Sequence, residues 1–223
     1  MLNVTLFGHT QPSETCPVDL SDVQELIAYC AKVSNPQGQM NMEKSDRLLN
    51  YLISHKHWSP FEMASATLEI ITTRDIARQF LRHRSFSFQE FSQRYANPQD
   101  MDEAFVLREA RLQDTKNRQN SIEVEDDRLA AEWRMRQQDV IDTAKEHYNW
   151  AVSNGIAKEQ ARAVLPEGNT VSTVYANGTI RSWIHYVELR SGNGTQKEHM
   201  EVARAGGQAI TAIFPMMEGF VDD

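Results

Sequence analysis

The residues best equipped for chemistry crowd into Arg82–Tyr95, which reads RHRSFSFQEFSQRY. Three arginines, a histidine, three serines, a glutamate and two glutamines interleave there with three phenylalanines. So many polar groups could not all be buried without partners. Guanidinium forks hold phosphate oxygens in pairs at any working pH and stack on flat rings. The mixture suits an anionic, hydrogen-bonding, ring-containing ligand such as a phosphorylated nucleotide or a dinucleotide cofactor. The chain has no Walker loop and no G-x-G-x-x-G. Side chains and helix ends must therefore hold any such ligand.

Further arginines extend this pattern. Arg74, Arg78 and Arg82 stand four apart, which on a helix makes a basic ridge. Arg162 lies in KEQARAVLP, and Arg181, His185 and Arg190 lie in one later segment. On a helix Arg181 and His185 share a face, whereas Arg190 points about half a revolution away. Either one of these groups is structural or the helix divides two compartments. His55, His57 and His83 show no third-ligand or second-shell pattern, so no metal site is expected. Cys16 and Cys30 have no metal spacing, and Cys30 sits in an apolar helical pattern expected to bury it.

These groups need a scaffold. Alternation predicts strands over Met1–Gly8, Met63–Thr73 and Thr170–Tyr175, with a turn at Asn177-Gly178. Helical spacing predicts Leu20–Val33, capped by Ser21, then Glu43–Ser54 and Arg74–His83. Arg128–Asn154 is the longest helix, with Leu129, Trp133, Val140, Ile141, Ala144 and Tyr148 as its buried stripe and Gly155 ending it. Ile156–Leu165, Thr179–Arg190 and Lys197–Phe214 complete the helices, with a flexible Ser191–Gly194 between the last two. Residues 97–127 read as a peripheral acidic insertion with short helical turns. The expected fold is α+β: one helix-rich domain over residues 1–223 with a modest mixed or antiparallel sheet.

A net charge of −8 argues against a protein-wide grip on nucleic acid. No apolar run is long enough to span a bilayer, and no secretory leader is evident, so a cytoplasmic protein is expected.

Arg82, His83 and Arg84, a short gap, then Ser87, Ser92 and Arg94 resemble the signature of the flavin-dependent thymidylate synthases. AKVSNP (Ala31–Pro36), HKHWSPFE (His55–Glu62), EQARAVLP (Glu159–Pro166) and the Arg181-to-Arg190 segment follow in the family's order. The resemblance implies a homotetramer with active sites where subunits meet. It implies synthesis of dTMP from dUMP, with methylenetetrahydrofolate as carbon donor, reduced FAD as hydride source and NADPH as reductant of the flavin.

Carried over by position, Ser34, Ser59, Arg82, His83, Arg84 and Glu90 would contact FAD, with Arg181 and His185 holding it from another subunit. Thr179 would serve FAD too, in place of an asparagine frequent in the family's flavin-binding turn. Gln79, Arg82, Glu90, Phe91, Ser92, Gln93, Arg94, Arg162 and Arg190 would contact dUMP. His57 would lie where folate stacks, and Arg190 would be the catalytic residue, stabilising a uracil anion. The two faces of the Arg181–Arg190 helix would then serve flavin and pyrimidine separately. The rival readings are a single-stranded nucleic-acid module using Phe86, Phe88 and Phe91 as a stacking platform, and a non-catalytic flavoprotein or nucleotide-binding relic.

Overall fold

A computed structural model describes residues 2–97, 99 and 103–221. Met1 of the expected first strand, and positions 98 and 100–102 of the acidic segment, lie outside the described residues. The chain runs β1 (Asn3–His9), α1 (Val23–Ala31), α2 (Ser45–Ser54), β2 (Ser65–Thr73), α3 (Arg74–Phe80) and β3 (Phe86–Glu90). It continues through β4 (Arg111–Gln113), β5 (Ser121–Glu123), α4 (Asp127–Ser153), α5 (Lys158–Ala161), β6 (Val171–Thr179), α6 (Ile180–Arg190), α7 (Lys197–Thr211) and α8 (Glu218–Val221). One antiparallel sheet has the order β1-β2-β6-β3, and β4 and β5 form a separate ribbon. The α+β expectation holds, with an antiparallel sheet.

In β2, Ala66, Leu68 and Ile70 are buried at alternate positions, as a strand with one covered face requires. The cover is α6 and α7, whose Trp183, Ile184, Val187, Val202 and Ile210 join the same core. Trp183 Nε1 donates to the Ala66 carbonyl at 3.1 Å, which satisfies the indole where it is buried. β3 closes the other edge. There a Cβ on Gly178 would lie 2.5 Å from the Phe86 ring, so only glycine lets that ring pack on β6.

Several local expectations change. The strand β6 runs straight through Asn177 and Gly178, which pair with Ser87 and Phe86 instead of turning. Asp22, not Ser21, caps α1 by accepting from the Glu25 N–H, while Ser21 donates to the Glu25 carboxylate. The acidic segment carries the β4–β5 ribbon, which the sequence pattern did not indicate. Part of it is fastened to the start of β6 and the chain before it: Val171 N–H donates to Ala104 O, Val106 N–H to Asn169 O, and Arg108 to Gly168 O. Gly155 ends α4 with φ +81°, as expected. The stripe of α4 is buried only at Ile141, Ala144 and Tyr148; Leu129, Trp133 and Val140 are exposed. Periodicity identified the face, but only its C-terminal part is covered, where Tyr148 and Ala151 pack with Ala161 and Leu165.

Candidate active site

The signature residues occupy the connection from α3 to β3 and the chain just after it. The basic ridge does not form, because α3 ends at Phe80 and its first arginine turns inward. Arg74 is 7% exposed and its Nη1 lies 3.2 Å from Glu90 Oε1, while Arg78 pairs with Glu167 at 3.1 Å. Arg82 and Arg84 follow the helix, exposed and without an ion pair among the described residues. Ser182 Oγ donates to Ser85 O at 3.3 Å, tying this loop to the start of α6. Thr179 caps that helix, accepting from Ser182 N–H.

Phe86 is buried against Trp183, and Phe88 packs edge-on to Phe80. Phe91 is half-buried. Two of the three rings therefore belong to the core, and the stacking platform for single-stranded nucleic acid is absent.

The far end of α6 brings Arg190 onto this loop. Its Nε lies 3.1 Å from His83 Nε2. A guanidinium only donates, so Nε2 accepts and the His83 proton sits on Nδ1. Burial, then Arg190, lowers the His83 pKa and keeps the ring neutral. Around it pack Tyr186, 4.9 Å away edge-on, and His199, 6.1 Å away. His199 is fully buried, and burial, Arg190 and His83 lower its pKa to about 3. Both its ring nitrogens, the Tyr186 hydroxyl and the Ser191 hydroxyl are buried without hydrogen-bond partners among the described residues.

The near end of α6 faces a different neighbourhood. Arg181 Nη1 meets Glu62 Oε1 at 2.6 Å, and His185 packs edge-on to Trp58 at 4.8 Å. Ser59 lies on the same 3-10 turn, Ser59–Glu62, and is exposed. His57 is exposed beside Tyr51 and His55, whose rings stack at 4.0 Å. Burial, then Arg181, lowers the His185 pKa. Ser34, in the exposed chain after α1, makes no hydrogen bond to the other named residues.

A third group lies beyond β3. Glu90 accepts from Ser172 Oγ at 3.0 Å as well as facing Arg74, so its carboxylate is engaged from within. Arg94 reaches Glu159 Oε2 at 3.5 Å, and Arg162 Nε donates to Glu159 O at 3.2 Å. One glutamate thus gathers both arginines. Ser92 Oγ accepts from Arg94 N–H, and Gln93 is buried with its Nε2 unpartnered among the described residues.

The family model described as "Thymidylate synthase complementing protein" matches residues 18–216. A protein of Paramecium bursaria Chlorella virus 1, named a probable flavin-dependent thymidylate synthase, is 49% identical over 94% of this chain and 96% of its own. A flavin-dependent thymidylate synthase of Synechocystis is 44% identical over 96% of each. The chain belongs to the flavin-dependent thymidylate synthase family. The fold agrees: a UMP/dUMP methylase, PolB from Streptomyces cacaoi, in a crystal structure with 5-Br UMP, superposes with a TM-score of 0.81 at 24% identity. That superposition covers 99% of this chain and 93% of the other.

As a flavin-dependent thymidylate synthase fold, the arrangement fits a large anionic cofactor. Arg82 and Arg84 are unpaired cations among the described residues, set beside a neutral His83. Sequence reasoning missed what stands behind the site. Gln79 Nε2 donates to Gln196 Oε1 at 2.7 Å, and Gln196 Nε2 donates to Glu198 Oε2 at 2.9 Å. Tyr186, Trp58 and Glu62 were also not singled out. Only Gln196 and Glu198 carried a local signal, as polar residues at the start of a helix.

Proposed function

We propose that this protein makes dTMP from dUMP, using methylenetetrahydrofolate as carbon donor, bound FAD as hydride carrier and NADPH as its reductant. Family membership over residues 18–216, with relatives bearing that name, supports the activity. The observation that carries the site is Arg190 on His83, which joins the end of α6 to the signature loop.

Arg82, His83 and Arg84 would hold the FAD, with Ser34, Ser59, Glu90, Thr179, Arg181 and His185. When bound and reduced, the flavin supplies a hydride to the pyrimidine ring. Gln79, Arg82, Phe91, Ser92, Gln93, Arg94 and Arg162 would bind dUMP, joined by Glu90. Arg94 and Arg162, gathered at Glu159, suit its phosphate. His57, in an exposed group of rings with Tyr51 and His55, would meet the folate.

Arg190 stabilises negative charge on the uracil as N3 loses its proton, enriching the ring at C5. The neutral His83 occupies its Nε, and no other side chain of the described residues bonds its two terminal nitrogens. Those nitrogens are left to face the developing anion. No cysteine nucleophile is needed. Burial, with a contribution from Cys16, raises the pKa of the half-buried Cys30, which disfavours its thiolate.

The active form would be a cytoplasmic homotetramer with shared sites. Leu129, Trp133 and Val140 leave an apolar stripe of α4 exposed, which suits burial against another copy. No helix among the described residues is long and apolar enough to cross a membrane.

The test is purified protein with a yellow flavin spectrum whose reduced form is reoxidised to yield dTMP only when dUMP and methylenetetrahydrofolate are both present. Colourless protein that takes up no FAD overturns the proposal.

A further inference from the structure

The hydrogen bonds behind Gln79 have only one possible polarity. A carboxylate accepts and never donates, so the Gln196–Glu198 bond must be donated by the Gln196 nitrogen. Gln196 then turns its oxygen to Gln79, and Gln79 must donate its own nitrogen. This follows from the carboxylate alone and does not depend on which amide atom is labelled nitrogen.

The carboxylate itself is firmly anchored. Glu198 Oε1 accepts from Arg111 Nη2 at 2.5 Å and lies 3.0 Å from Arg108 Nη1. Arg108 is fixed in turn by Asp75, at 2.6 Å, and by Thr73 Oγ1, at 2.5 Å. Burial works against the charge, but Arg111, the amide at the start of α7, Arg108 and Gln196 hold the carboxyl down to about 2. It stays ionised at any pH where the enzyme would work. Gln79 Oε1 has no side-chain partner among the described residues and is not buried.

We propose that Gln196 and Glu198 are positioning residues: they commit the Gln79 amide nitrogen inward and leave its oxygen to accept a hydrogen bond from the nucleotide. The donor is the 3′-hydroxyl or the N3–H, the two hydrogen-bond donors of neutral dUMP other than its phosphate. The inference rests on the nucleotide-binding reading above. Within it, the relay gives Gln79 a fixed sense, so that it selects a donor where a freely flipping amide would take either.

The experiment measures nucleotide binding and turnover on the FAD-loaded protein. Gln196→Leu removes the inward anchor and should weaken dUMP binding about tenfold while kcat at saturating dUMP stays within about threefold. Two analogues locate the donor: 2′,3′-dideoxyuridine monophosphate lacks the 3′-hydroxyl, and N3-methyl-dUMP lacks the N3–H. The Gln196→Leu loss should vanish for whichever analogue lacks the donor that Gln79 reads. An equal loss for both analogues overturns the proposal, as does wild-type affinity in Gln196→Leu.

A polarity swap gives a second readout. Gln196→Glu alone sets two carboxylates against each other and should bind dUMP worst. Adding Glu198→Gln restores a donor facing an acceptor, and the double variant should recover most of the lost affinity. If it binds no better than Gln196→Glu while keeping its flavin, the relay has no positioning role. If the double variant does not fold, the analogue comparison in Gln196→Leu still decides. Wild-type protein that loads FAD but binds no dUMP overturns the nucleotide reading itself, a different outcome from any of these.

Discussion

The two ends of α6 carry the side chains proposed to be functional in opposite circumstances. At its start Arg181 and Glu62 pair with their side chains 39% and 44% exposed, and His185 leans on a half-buried Trp58. At its end Arg190 rests on His83, which is backed by a fully buried His199 and by Tyr186. An exposed ion pair contributes about 0–1 kcal/mol, so a ligand anion can displace the Glu62 carboxylate at small cost. The packed end cannot be rearranged so cheaply. It suits a group that must be in place before charge develops, whereas the open end suits a group that closes on an arriving cofactor.

The sharpest way to break this contrast is to remove Arg190. Arg190→Ala should lower the rate of dTMP formation by about 10²–10³ while bound FAD, read from its absorbance, stays near wild type. Arg190→Lys keeps the charge but loses the planar fork that meets both His83 and the ligand, so it should stay well below wild type. Turnover close to wild type in either variant, with normal flavin content, would show that the packed end is structural only.

Proton uptake gives the next largest effect. His199 titrates near 6.5 when unfolded and about 3 when folded, because burial, Arg190 and His83 oppose its charge. Between these values the unfolded chain binds more protons, so stability rises with pH there. The fold should therefore lose stability as pH drops below about 6.5, and His83 acts in the same direction. Glu198 adds its own loss only as pH falls from about 4.5 towards 2. In His199→Leu the difference in Tm between pH 7.5 and pH 5.5 should shrink. An unchanged difference would mean that the cluster around Arg190 is not what resists protonation.

The same contrast explains what could be read from the sequence. The strand β2 was legible because burying one face forces alternation, and α6 and α7 because their apolar faces recur at helical spacing. Arg82–Arg94 was legible because no core would gather such charges. The serine and arginine positions drew attention to the loop after α3, yet Phe86 and Phe88 misled, since an apolar ring in sequence does not say which side it faces. Arg74 and Arg78 misled for a related reason: their partners Glu90 and Glu167 are distant or lie round a turn. The relay to Gln79 was invisible, as it joins residues 117 apart and depends on α7 docking beside α3. On α4, spacing revealed an apolar face but not how far the core extends under it.

The smallest expected effect tests the open end. Glu62→Gln removes the carboxylate partner of Arg181 while keeping its shape. Because the pair is exposed, Tm should change by no more than about 2 °C, the shift that a few tenths of a kcal/mol produces in a domain of this size. Arg181 would then meet an incoming phosphate without a competing carboxylate, and FAD should bind several-fold more tightly by titration of the apoprotein. Arg181→Ala should do the reverse, weakening FAD without touching the rate of the loaded enzyme at saturating dUMP. A large fall in Tm for Glu62→Gln, with FAD affinity unchanged, would make the pair a structural clasp. The two ends of α6 would then be alike, both fixed before any ligand arrives.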